Sequence, residues 1–161
     1  MSHYKTTLHD EAATQALGKC LAHAIIPGMS IFLHGDLGAG KTSLTRALIH
    51  AAGHAGTVKS PTYTLAEPYA VQIKGKTITI MHFDLYRMIS AEEFIEAGFR
   101  EEFNDHTICI IEWPEKAEGL LPAPDLHVFL RVAGDGREVE LQALSAKGIA
   151  CLASLQFVPN L

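Results

Sequence analysis

Residues Gly35-Asp36-Leu37-Gly38-Ala39-Gly40-Lys41-Thr42 match the pattern G-x-x-x-x-G-K-[ST] in full, and this run constrains the chain more than any other feature. Each position carries a physical requirement. Glycines let the backbone take positive φ, so successive N–H groups turn inward around an anion. A helix opening at Lys41 adds the positive end of its dipole at the same point. Lys41 is long enough to bridge the β- and γ-phosphates of a nucleotide, and the hydroxyl of Thr42 suits Mg²⁺. The flanks agree: Ile31-Phe32-Leu33 reads as a buried strand before the loop, and Leu44, Leu48 and Ala51 recur at helical spacing after it. A glycine turn that merely closes a strand–helix joint is the plainer alternative. The expected binding set is Asp36, Leu37, Gly38, Ala39, Gly40, Lys41, Thr42 and Ser43, holding ATP or ADP with Mg²⁺. The chain has no N-K-x-D segment of the kind that reads guanine, which favours adenine.

The rest of the chain supplies the elements that such a loop needs. An edge strand is expected near Tyr4 to Thr7. Asp10 caps a helix running to about Ala24, with Ala13, Leu17, Leu21 and Ala24 on one apolar face. Ser30 to His34 forms a strand, and a helix follows from Lys41 to about Ala52, closed by Gly53. Leu65 to Ile73 and Lys76 to Phe83 pair around the Lys74-Gly75 turn. Ser90-Ala91-Glu92-Glu93 has the form of a capping box, with Gly98 as the stop. Thr107 to Ile111 is a fully buried strand that runs into Glu112. A second hairpin joins Leu126 to Val132 with Glu138 to Leu144, and the tail from Lys147 to Gln156 is expected to form a helix burying Ile149, Leu152 and Leu155. No repeat or linker divides the chain. The prediction is therefore one α/β domain over residues 1–161: a P-loop NTPase-like, three-layer fold with a mixed parallel/antiparallel sheet.

Composition narrows the partners. The 161 residues carry 13 basic and 18 acidic side chains, a net charge of −5, which disfavours gripping nucleic acid without help. With 48% hydrophobic and 19% charged residues the chain fills a core and is not disordered, and its sparse charge suits a docking face. No apolar run reaches the roughly 18 residues of a membrane helix, and the polar start lacks the apolar stretch of a secretory signal. Cys20, Cys109 and Cys151 form neither a C-x-x-C pair nor an even set. These features together predict a cytoplasmic protein.

Ligands of open α/β sheets sit at the carboxyl ends of strands, where His34, Asp84 and Glu112 are expected to converge. Glu112 directly follows Ile108-Cys109-Ile110-Ile111. A buried carboxylate there is costly alone, and Mg²⁺ supplies its partner charge; capping a helix around Pro114-Glu115 is the alternative. In His82-Phe83-Asp84 strand alternation sends His82 and Asp84 to one face. Asp84 then orients water or supports the metal, or else only caps the following turn. For His82 a satisfied core histidine is the favoured reading, and the other histidines show no pair at metal-ligand spacing. Ser60-Pro61-Thr62-Tyr63 sits where P-loop proteins sense the γ-phosphate, which makes Ser60 and Thr62 candidate switch residues; a plain proline turn explains them equally well. Trp113, the only tryptophan, adjoins the metal acid and should report on the site.

The phosphate loop, Ser60-Pro61-Thr62-Tyr63, His82-Phe83-Asp84-Leu85-Tyr86-Arg87 and Ile111-Glu112-Trp113-Pro114-Glu115, in that order, closely resemble the bacterial TsaE (YjeE) family of tRNA threonylcarbamoyladenosine synthesis. The likeness extends from Asp10-Glu11 to Gly136-Arg137. It implies an ATPase acting with the TsaB–TsaD complex to install threonylcarbamoyl on adenosine 37 of tRNAs that read ANN codons. By that resemblance Lys41 and the loop bind phosphates, Thr42 and Glu112 hold Mg²⁺, and Asp84 serves hydrolysis, so that Lys41, Asp84 and Glu112 form the catalytic set. Glu11 and Arg137 match positions near the nucleotide; their plainer readings are a first-turn acid and a solvated hairpin residue. The acidic balance leaves RNA contact to a partner. With no evident arginine finger, hydrolysis alone is expected to be weak. A nucleotide-gated assembly module with incidental hydrolysis is the main competitor. A small-molecule kinase is the other, set back by the few arginines (five) available for a lid.

Overall fold

Strand-forming runs that alternate with amphipathic helices resolve into one seven-stranded sheet in the computed structural model, which describes residues 2–155 and 157. The elements are β1 (His3–Leu8), α1 (Glu11–Ala22), β2 (Ser30–His34), α2 (Lys41–Ala51), β3 (Ala66–Ile73), β4 (Lys76–Asp84), α3 (Glu92–Glu96), β5 (Thr107–Glu112), β6 (Leu126–Ala133), β7 (Gly136–Ala143) and α4 (Ala146–Ser154). The order across the sheet is β1-β7-β6-β2-β5-β4-β3. The central strands β6, β2, β5 and β4 run parallel, while β7 and β3 pair antiparallel at their flanks and β1 pairs antiparallel with β7. This is the mixed α/β sheet expected, a P-loop NTPase-like architecture.

Local chemistry explains the joints. Asp10 caps α1 by accepting from the Ala13 N–H at 2.8 Å. Lys74 and Gly75 both take positive φ, 49° and 79°, which matches the right-handed twist of a two-residue hairpin between β3 and β4.

Alternation along the strands divides the core in two. Ile31, Leu33, Ile80, Ile108 and Ile110 face α1 and α2, packing on Leu17, Leu21, Leu44 and Leu48. Phe32, Met81, Phe83, Cys109 and Ile111 face the other way, under Phe94 with Phe99 and Phe103. That second layer is thin, a five-residue α3 and the 3-10 turns Phe99–Glu102 and Pro114–Ala117.

Two local expectations change. Only half of the capping box forms: the Glu93 carboxylate accepts from the N–H groups of Ser90 and Ile89 at 3.0 and 2.6 Å, while Ala91 is the cap residue and no side chain caps α3. In α4 the buried stripe is Gly148, Cys151 and Leu152 with Leu155 partly buried, and Ile149 is 44% exposed. Gly148 sets that helix phase, because it lies against the Asp125 backbone where no Cβ fits. The expected helix end at Gln156 lies outside the described residues. Among the described residues no helix is long and apolar enough to cross a membrane.

Candidate functional site

The carboxyl ends of β4 and β5 and the loop after β2 open onto one cavity of about 710 Å³. Its floor is the phosphate loop. Gly38 and Gly40 take φ of 80° and 104°, which bends the chain around the start of α2. Gly40 is the cap residue of α2 and offers no side chain, and no acid stands in the first turn. The helix therefore presents uncapped N–H groups and its dipole to whatever anion enters.

Lys41 lies at the centre, 5% exposed. Its ammonium donates to the Gly35 carbonyl and rests 4.0 Å from the centre of the Trp113 ring. Burial pulls its pKa below the ordinary lysine value, against the raising pull of Glu112 and Asp84. Trp113 adopts φ of 58°, unusual for so bulky a residue, and its ring contacts Tyr86 at 5.0 Å between centroids.

Parallel pairing makes Asp84 and Glu112 register partners, so their carboxylates leave the sheet on the same face, toward α1 and α2. Thr42 Oγ1 donates to Glu112 Oε2 at 3.4 Å, and the fully buried His82 brings Nε2 within 2.7 Å of the same oxygen. Asp84 accepts from the Tyr86 N–H at 3.1 Å and from Ser60 Oγ at 3.5 Å, and Ser60 Oγ pairs with Thr62 Oγ1 at 2.9 Å. Burial, and then the Glu112 carboxylate beside it, push the Asp84 pKa above the ordinary value. Glu112 caps nothing, since Trp113 is the cap of the Pro114–Ala117 turn. Asp84 does hold the turn after β4, while also facing the cavity.

A hydroxyl and two carboxylates are hard oxygen donors that suit Mg²⁺, and a like-charged pair held side by side gains from a divalent cation. Among the described residues no three His, Cys, Asp or Glu side chains are grouped to hold a metal alone. A cation bound here would need its remaining ligands from outside the protein.

Most of the sequence-derived set meets in this cavity. Leu37, Gly38, Gly40, Lys41, Thr42, Ser43, Glu11, Ser60, Thr62, Asp84, Glu112, Trp113 and Arg137 all line it. Ser43 Oγ donates to Glu11 Oε1 at 3.3 Å. Arg137 is no solvated hairpin residue: it donates to the carbonyls of Ala39 and Gly38 at 2.9 and 3.1 Å. Ala39 is buried beneath the loop, and Asp36 lines the adjoining recesses.

His34 does not converge with the acids. Leu33, not His34, is the partner of Glu112, so alternation sends His34 to the opposite face. There it stacks on Phe129 at 4.7 Å, and its Nε2 lies 2.7 Å from His127 Nδ1. Burial, and then His127 and Lys41, lower its pKa to about 4.

Asp10, Thr14, Tyr86, Arg87 and Asp135 also line the cavity, though the sequence did not mark them as site residues. Tyr86 and Arg87 carried a signal, since they lie two and three residues past the strand-end acid Asp84. The Arg87 guanidinium lies 4.9 Å from the centre of the Tyr63 ring.

Residues 8–139 match the family described as threonylcarbamoyl adenosine biosynthesis protein TsaE. A Haemophilus influenzae protein named tRNA threonylcarbamoyladenosine biosynthesis protein TsaE is 44% identical over 144 residues, 86% of this chain and 89% of the relative. A Bacillus subtilis protein of the same name is 34% identical over 132 residues, 81% of this chain and 80% of its own. A crystal structure of Bacillus subtilis YdiB superposes with a TM-score of 0.76 at 27% identity, covering 96% of this chain and 95% of that one.

Proposed function

The chain belongs to the TsaE family, and from that premise we propose that it is the ATP-binding and hydrolysing subunit for threonylcarbamoylation of adenosine 37 in tRNAs reading ANN codons, acting with the TsaB–TsaD complex. One observation carries the ATPase reading. Lys41 and Thr42 at the start of α2 share a single cavity with Asp84 and Glu112 from two neighbouring strand ends.

Each residue then has a task. The uncapped N–H groups at the start of α2 cradle phosphate oxygens, and Lys41 exchanges the Gly35 carbonyl for the β- and γ-phosphates. Thr42 and Glu112 would hold Mg²⁺, which when bound would supply Lewis-acid stabilisation of the charge on the phosphates. Asp84, oriented by the Tyr86 N–H, accepts a hydrogen bond from the attacking water and holds it in line. Ser60 and Thr62, linked to Asp84, sense the γ-phosphate and are released with it.

Of the two arginines at the cavity, Arg137 is committed to loop carbonyls and Arg87 stacks on Tyr63. Hydrolysis by the chain alone is therefore slow, with a partner completing the site. The net charge of −5 leaves tRNA to that partner.

Phosphate release from ATP–Mg²⁺ tests this, measured on the chain alone and with purified TsaB–TsaD. Strong stimulation that disappears in Glu112→Ala is expected. Intact nucleotide binding without stimulation would instead identify a passive, nucleotide-gated subunit.

A further inference from the structure

His82 sits where packing alone has no use for a histidine. It is fully buried near the end of β4, on the face that meets α1 and α2, two residues before the terminal Asp84. Its Nε2 lies 2.7 Å from Glu112 Oε2. Its Nδ1 has no partner, and is the one fully buried side-chain nitrogen or oxygen among the described residues in that condition. A satisfied core histidine was the expectation; half of the ring is unsatisfied. Buried polar atoms are nearly always paired, and an exception calls for a role that offsets its cost. An apolar side chain of similar size would avoid the cost entirely.

The geometry supplies the role. A carboxylate only accepts, so the contact requires a proton on Nε2, and the ring donates to Oε2. Thr42 Oγ1 approaches that same oxygen from the cavity side at 3.4 Å. Oε2 is thus held from within the sheet by His82 and met from the phosphate loop by Thr42, while Oε1 lies outside both bonds. Two donors on this one oxygen restrict how the carboxylate turns, and they set the side it presents to Thr42. Metal-binding carboxylates depend on such supporting hydrogen bonds for their orientation.

We infer that His82 is a positioning residue for magnesium, its Nε2–H locking the Glu112 carboxylate in the orientation that receives the cation beside Thr42. The inference rests on the Mg²⁺–nucleotide reading of the cavity. His82 touches neither nucleotide nor cation in this role and acts only through Glu112.

The test is binding and needs no turnover. The Kd of a non-hydrolysable ATP analogue is measured by Trp113 fluorescence in EDTA and again in saturating Mg²⁺, and their ratio gives the metal's contribution. In His82→Met, of similar bulk but without a donor, the ratio is expected to fall about tenfold, with binding in EDTA unchanged. His82→Gln places an amide N–H near the Nε2 position and is expected to recover most of the loss. In a Glu112→Gln background, His82→Met is expected to have no further effect, because the group it positions is gone.

An unaltered ratio in His82→Met overturns the inference and leaves the nucleotide reading standing. Equal loss in EDTA and Mg²⁺, not recovered by Gln, also overturns it and makes His82 a packing residue. A wild-type ratio near one overturns the Mg²⁺ reading itself, and the inference with it.

Discussion

Arg137 donates from Nη2 to the carbonyl of Gly38 at 3.1 Å, tying the last hairpin to a loop 99 residues earlier in the chain. Its Nε holds the Ala39 carbonyl at 2.9 Å as well. In a trans peptide the N–H points opposite to the C=O, so fixing the Ala39 carbonyl also fixes the direction of the Gly40 N–H. The phosphate loop is in this way shaped from outside. Replacing Arg137 by Met is expected to weaken ATP binding by about 1–2 kcal/mol, roughly five- to thirtyfold, through loss of charge-assisted bonds. Arg137→Lys should recover only part of that, since a point charge does not span two carbonyls as a planar fork does. Calorimetric titration with ATP checks both, and wild-type affinity in Arg137→Met would rule out the bracing role.

The Lys41 ammonium rests on the Trp113 ring 4.0 Å from its centre. Phosphate draws that ammonium forward, so nucleotide binding is expected to change Trp113 emission without any movement of the indole itself. In Lys41→Met the affinity should fall by at least tenfold, and saturating ATP should leave emission nearly unchanged. Fluorescence titration decides this. A full wild-type emission change in Lys41→Met would mean that Trp113 reports on something else.

How far the sequence discloses this site depends on which geometric relation is asked of it. The phosphate loop is legible because its glycines and lysine have fixed spacing, and β5 because four apolar residues run into Glu112. Strand ends are legible too, but the face at each end is not. His34 closes β2 at the correct edge, yet lies one position past the partner of Glu112, so its side chain falls on the far side of the sheet. Only register between distant strands decides that parity. The bracing by Arg137 is hidden for the same reason, because it follows from where β7 lies relative to the loop. Ile149 shows the helical version of the problem. Apolar spacing marks several faces of α4, and contact between Gly148 and the Asp125 backbone selects one.

Asp84 is held against its ionisation preference by burial and by Glu112, which raise its pKa. With the folded-state pKa above the unfolded value, the folded protein binds the proton more tightly. As pH rises from the ordinary carboxylate value to the raised one, the unfolded chain ionises first and stability falls; above both values the deficit is constant. Asp84→Asn is therefore expected to melt higher than wild type at pH 7, with the advantage vanishing below the ordinary carboxylate range. The same variant should lose on the order of 10²–10³ in phosphate release with the partner complex. Thermal melts across pH, run beside single-turnover hydrolysis, read the two effects separately. Normal hydrolysis in Asp84→Asn would remove this residue from the mechanism.

Gly18 governs how closely α1 and α2 approach, and so where the phosphate-loop helix sits. A Cβ at this position would lie 2.7 Å from the Leu44 carbonyl oxygen and 2.8 Å from the Ala47 Cβ. Neither neighbour is the flexible end of a long side chain, so the helices themselves have to separate. Although alanine favours helix over glycine by about 1 kcal/mol, overpacking here costs about 1–3 kcal/mol and is expected to prevail. Gly18→Ala should therefore lower the denaturation midpoint. It should also weaken nucleotide binding, because the displaced α2 carries Lys41 and Thr42 with it. Denaturant melts together with ATP titration test the coupling. A stabilised Gly18→Ala with unchanged affinity would show that α2 is positioned by the sheet alone.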